Sequence, residues 1–229
     1  MSDLLKQLKD LTMLNGVSGD EKAVRHYVRD NVKDIVDKIE YDKLGSLIAY
    51  KGEKGPKVML AGHLDEIGLM VTEINKEGFV KFQTLGGWHT VVMTAQKWLI
   101  HTDKGPVKAI TGAKPPHVLP LSERYKSPDV GTLFLDLGVY NKEEVEKLGV
   151  KIGDAITPYS DFELLSNTDF IVGKALDNRV GVLIVMEVLK KLKNNPNQFA
   201  GTFTVQEEVG LRGAKTSSYK IKPDIVLLL

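Results

Sequence analysis

Apolar residues recur at three- and four-residue intervals at the N-terminus: after Ser2 come Leu4, Leu5, Leu8 and Leu11, and the pattern breaks at Asn15-Gly16. That spacing predicts a short amphipathic helix. A second helix is expected to open at SGDE, where Ser18 and Glu21 have capping-box spacing, and to run through Val24, Tyr27, Val28 and Val32. From KIEYDKLGSLIAYKG onward the sequence becomes β-rich, with turn signals at Gly45 and Gly52, before KVMLAG supplies a buried-strand pattern. Between about Leu69 and Phe162 short β-segments follow one another: GLMVTEI, GFVKFQTL, VVMTAQKWLIHT, PVKAIT and GTLFLDLG. NKEEVEKLG interrupts them as a brief helix, with Asn141 as its cap and Gly149 as its stop. Then α/β character returns: a helix in NRVGVLIVMEVLKKLKNN, a strand in GTFTVQ, a short helix after Gly210, and the apolar run DIVLLL. The expected architecture is an α/β domain built from residues 1–68 and 166–229, interrupted by a β-rich insert over 69–165.

Composition narrows the chemistry. With 31 basic and 30 acidic residues the formal charge is +1, so no global attraction to nucleic acid or anionic lipid is expected. The absence of cysteine excludes disulfides, thiolate metal sites and cysteine nucleophiles. Any metal must then be held by His, Asp and Glu. The N-terminal MSDLLKQLKDL carries charges through its apolar pattern, unlike a signal peptide, and no run reaches membrane-spanning length; a cytoplasmic location is the expectation.

Three short motifs carry candidate chemistry. In HLDE, directly after the KVMLAG strand, His63 and Asp65 are two apart and on extended backbone point the same way, so the imidazole can ligate a metal while the carboxylate fixes the ring. In KALDNRVG, Asp177 precedes an apolar helix and is either its N-cap or a carboxylate bridging two cations. In QEEVG, Glu207 and Glu208 follow a strand; one can ligate metal while the other stays free as general base. Each falls at the end of a strand or helix of the α/β portion, where such sheets assemble ligands. Oxygen and imidazole donors suit Zn²⁺, Co²⁺ or Mn²⁺, with Zn²⁺ the default.

Taken together, GHLDEIGLMV, ALDNRVGV and QEEVGLRGA, in this order and with a β module between the first two, resemble metallopeptidase family forty-two, the glutamyl and tetrahedral aminopeptidases. The resemblance implies a mixed-sheet catalytic α/β domain with a small β-barrel or PDZ-like dimerisation insert. It implies that His63 binds one divalent ion, Asp177 bridges two, Glu208 binds the other, Asp65 orients His63, and Glu207 is the general base. It further implies a metal-dependent aminopeptidase acting on peptides with a free N-terminus, assembled as dimers up to dodecamers. The family pattern continues with another metal-binding Asp after the strand matching PDIVLLL and with a later His. The sequence stops at Leu229, and none of His26, His89, His101 or His117 matches that position, so a chain lacking the C-terminal third, with impaired metal occupancy and activity, is expected. Rival readings are a related metal-dependent deacylase or dipeptidase, a glycoside hydrolase using paired carboxylates, and a non-catalytic oligomerisation module.

Overall fold

The computed structural model of the chain describes residues 2–122 and 124–229. Its elements, in chain order, are α1 (Asp3–Met13), α2 (Lys22–Val32), β1 (Lys38–Tyr41), β2 (Leu47–Lys51), β3 (Lys57–His63), β4 (Gly68–Ile74), β5 (Val80–Leu85), α3 (Thr90–Met93), β6 (Lys97–Thr102) and β7 (Gly105–Gly112). There follow β8 (Phe134–Asp136), α4 (Lys142–Leu148), β9 (Ala155–Pro158), β10 (Glu163–Leu164), β11 (Ile171–Val172), α5 (Leu176–Lys191), β12 (Gln198–Thr204), α6 (Arg212–Ile221) and β13 (Ile225–Leu228). They form two compact units, one made of residues 1–66 and 161–229 and the other of 67–160. Among the described residues no helix is long and apolar enough to cross a membrane.

The discontinuous unit is built on a mixed five-stranded sheet in the order β1-β2-β12-β3-β13. β3 pairs in parallel with both β12 and β13, whereas β1-β2 and β2-β12 are antiparallel. On one side lie α1, α2 and α5, whose Leu8, Leu11, Val24, Val28, Val182 and Leu189 close a core with Leu47, Leu60 and Phe203 from the strands. The opposite side is smaller, with Ile48, Met59, Ala61 and Ala200 meeting Ile221 of α6. A fully buried side chain of this size contributes about 1.5–3 kcal/mol, so the helix-facing cluster holds most of this unit together. α5 packs closely on β3: a Cβ added at Gly62 would lie 2.9 Å from the backbone of Gly181 and Val182.

The other unit is a closed antiparallel barrel, β4-β5-β8-β7-β6-β9. Leu69, Val71, Val80, Trp98, Ile100, Leu135 and Ile156 fill its interior, and the Trp98 ring nitrogen donates to Thr111 Oγ1. Between the two insert forms implied by the resemblance, the closed barrel is the one present. Asn141 caps α4 through the Glu144 amide, and Gly149 ends it in the left-handed region at φ 96°.

Two local expectations are corrected. VVMTAQKWLIHT is not one strand: its first residues form α3, with Val91 and Val92 exposed, and only Lys97 onward joins the barrel. Ser18 and Glu21 do not form a capping box, since Glu21 occupies the N-cap position of α2 without a side-chain cap bond. Ser18 Oγ instead donates to Asp65 Oδ2 at 2.5 Å, and Glu21 Oε1 accepts from the amides of Gly19 and Gln206. The buried Asp65 carboxylate claims Ser18, and the amides of Gly19 and Gln206 claim Glu21, more strongly than the helix end does.

Candidate metal centre

Parallel pairing sets Thr204, the last residue of β12, beside His63, the last of β3, so both strands deliver their following loops to one edge of the sheet. α5 returns its N-terminal turn to the same place. That turn is irregular: Ala175 is left-handed at φ 54°, and Asp177 and Asn178 depart from helical geometry. The side chain that caps the regular helix is Asn178, whose Oδ1 accepts from the Gly181 amide at 2.9 Å. Asp177 is thereby released from the N-cap role its position allows, and its side chain is 86% exposed.

His63 Nε2 lies 3.1 Å from Asp177 Oδ1 and 3.8 Å from Glu207 Oε2. His63, Asp177 and Glu208 each present a donor atom, and the three atoms lie within 4.8 Å of one another. Among the described residues this is the group of His, Asp and Glu donors with spacing fit for a cation. The five residues singled out from the sequence therefore fall in one place: three donors, Glu207 beside the imidazole, and Asp65 beneath it.

Asp65 is fully buried and spans two loops. Its carboxylate accepts from Ser18 Oγ, from Glu207 N at 3.0 Å and from Glu208 N at 3.1 Å. The nearest partner of His63 Nδ1 is the Asp65 backbone carbonyl at 3.0 Å, with the carboxylate at 3.5 Å. Burial opposes ionisation of Asp65, but the bonds from His63, Ser18 and the two amides outweigh it and hold the carboxyl below its ordinary range. His63 is shifted upward: burial disfavours the imidazolium, and Asp65, Glu207 and Asp177 more than compensate. Glu208 is pushed up by burial and by crowding with Asp65, Glu207 and Asp177, against an opposing pull from His63. A carboxylate crowded by three others is the arrangement a divalent cation relieves, and an imidazole with two carboxylates is a donor set that Zn²⁺, Co²⁺ and Mn²⁺ accept. The residues fit the ion.

Sequence reasoning missed the supports. Ser18, Glu21, Glu66, Lys174, Arg179 and Asn178 all hold the loops of this centre, and only the unusual density of carboxylates in HLDE hinted that one of them served another end.

A mixed-sheet α/β unit with His, Asp and Glu side chains gathered where its parallel strands end, interrupted in sequence by a closed β-barrel, defines the fold class of the chain. The sequence pattern of M42 glutamyl aminopeptidases matches residues 45–229, and the chain belongs to that family. The Escherichia coli K12 protein FrvX is 42% identical over 226 residues, covering 98% of this chain and 63% of FrvX. A TET aminopeptidase from a marine-sediment Thaumarchaeota archaeon superposes with a TM-score of 0.94 at 40% identity, covering 98% of this chain and 65% of the other. The TET1 peptidase of Pyrococcus horikoshii, described as assembling into a tetrahedron or a large octahedral shell, gives 0.88 at 32% identity, covering 99% and 68%. The chain thus spans less than two thirds of FrvX and of the first archaeal enzyme.

Proposed function

We propose that this chain is the cation-binding portion of a metal-dependent aminopeptidase. The observation that carries the reading is the convergence of His63, Asp177 and Glu208 from three separated segments. On the roles that the family resemblance implies, His63 would hold one divalent cation, Glu208 a second, and the exposed Asp177 carboxylate both, with Zn²⁺ the default and Co²⁺ or Mn²⁺ as alternatives. The chemistry such cations supply is Lewis acidity, which polarises a carbonyl and makes water more acidic.

The protein's own groups do the rest. Glu207, held by its amide on Asp65 and with its carboxylate 3.8 Å from His63 Nε2, takes the proton of an attacking water and returns it to the departing amine. Asp65 fixes Glu207 and Glu208 by their backbone, so the base and one donor move as a unit. Self-association is supported by the shells that the P. horikoshii relative forms, and the barrel unit, residues 67–160, is the surface we assign to it.

Assay on aminoacyl anilides, N-acylated amino acids and oligosaccharides separates the readings. Release from free-amine substrates that stops on chelation supports the proposal. Preference for acylated substrates would turn it into a deacylase, and chelator-insensitive sugar cleavage into a glycoside hydrolase. A cation-loaded chain without turnover on any of them would make this portion a binding module. Glu207→Gln is expected to lower turnover about 100-fold or more with bound metal unchanged.

A further inference from the structure

HLDE carries a second carboxylate that the chemistry above leaves unused. Glu66 is 1% exposed, and its Oε1 lies 2.6 Å from Lys174 Nζ and 3.8 Å from Arg179 Nη2 while accepting from the Gly16 amide. Lys174 and Arg179 are themselves buried. Lys174 Nζ also donates to the Leu14 carbonyl, and Arg179 Nη1 donates to the carbonyls of Leu11 and Leu14. The two cations bracket Asp177 in sequence, and the carboxylate that joins them follows directly on the segment that carries His63. A single buried group therefore links the chain bearing one proposed donor to the chain bearing another.

The bracketed segment needs such a link. Ala175 is left-handed and Asp177 and Asn178 are non-helical, so the regular hydrogen bonds of α5 do not fix Asp177. Nor is the link an economical way to stabilise a core, because buried ion clusters are often no better than apolar packing, while removing one partner is severe. Glu66 is the carboxylate in contact with both cations, and the other carboxylates acting on Arg179 are Asp65 and Glu21. Deleting the Glu66 charge would leave two cations facing each other in the interior.

We propose that Glu66, through Lys174 and Arg179, is a positioning residue that sets the spacing between His63 and Asp177. The inference rests on the cation-site reading, and its test has one readout independent of any metal. Amide hydrogen exchange is measured on the full chain for wild type, Glu66→Gln, Lys174→Met and the double variant, with Leu189→Ala as a control that weakens the core far along α5. Cobalt(II) affinity is measured on the same proteins, with His63→Ala added.

Glu66→Gln is expected to speed exchange at Leu64, Arg179 and Gly181 about tenfold or more, with the strand amides of β12 unchanged. Its cobalt affinity is expected to fall about 10- to 100-fold. Lys174→Met leaves the Glu66–Arg179 pair balanced and is expected to be milder. Adding Lys174→Met to Glu66→Gln removes one of the two facing cations and is expected to recover part of both effects, which simple loss of packing cannot do. If Glu66→Gln does not fold, recovery of a folded chain in the double variant is the same result. Exchange at these amides no faster than in Leu189→Ala, or a double variant worse than Glu66→Gln, overturns the inference. Unchanged cobalt affinity in Glu66→Gln overturns it too, provided His63→Ala loses binding. If His63→Ala binds cobalt like wild type, or wild type binds none, the cation-site reading fails instead, and the link is judged on exchange alone.

Discussion

Asp177 and Asn178 divide two tasks that one residue could have performed. From the sequence Asp177 was equally good as a helix cap and as a metal ligand, because both roles ask for a short carboxylate before an apolar helix. Asn178 takes the capping bond, and Asp177 is left facing His63. Asp177→Ala is therefore expected to lower cation affinity strongly while the thermal midpoint of the metal-free chain stays nearly unchanged; a large loss of metal-free stability would return Asp177 to a capping role. Asp65 behaves in the opposite way. Its bonds to Ser18 and to two amides are lost in Asp65→Asn only in part, at a cost of about 1–3 kcal/mol at neutral pH. Because its folded pKa lies below the unfolded value, that stabilisation is present above about pH 4 and lost as pH falls through the folded value. The gap between wild type and Asp65→Asn in chemical denaturation should close on acidification and stay open at pH 7. His63 carries the other sign: its raised folded pKa stabilises the metal-free chain below pH 6.5, an advantage lost as pH rises through the folded value. Cation binding must displace that proton, so affinity should climb over the same window and level off above it.

At the scale of elements, periodicity revealed most of what positions the centre. Strand β3 and helix α1, with Ser2 accepting from the Leu5 amide, are formed where the alternation and the three-four spacing placed them. What the pattern could not show was competition from distant partners. Ser18 and Glu21 have the spacing of a local cap, and only the folded chain brings Asp65 and the Gln206 amide close enough to claim them. Val91 and Val92 read as strand because β-branched residues favour it, yet they sit exposed in a short helix before the barrel strand begins. The contact of β3 with α5 is equally invisible in one dimension, though it sets how near Asp177 can come to His63. At Gly62 a methyl group meets the backbone of Gly181 and Val182 at 2.9 Å, so the helix must shift. Gly62→Ala is expected to destabilise the chain by about 1–3 kcal/mol and to weaken cation binding, even though Gly62 donates nothing to the ion. Binding at wild-type strength in a folded Gly62→Ala protein would show that the spacing does not depend on this contact.

On the scale of the whole molecule, the near-balanced charge read from composition leaves local features to govern association. The α/β fold with a β-barrel was legible in the change of pattern along the chain, whereas the groups that hold the loops of the centre come from distant segments and leave no local signal. His63, Asp177 and Glu208 come together as one cation-binding centre. Calorimetric titration of the metal-free chain with Zn²⁺ reads that out: saturable binding of about one ion per chain, lost in His63→Ala, is the expected result, and a His63→Ala chain that binds the same number of ions with the same affinity would overturn it.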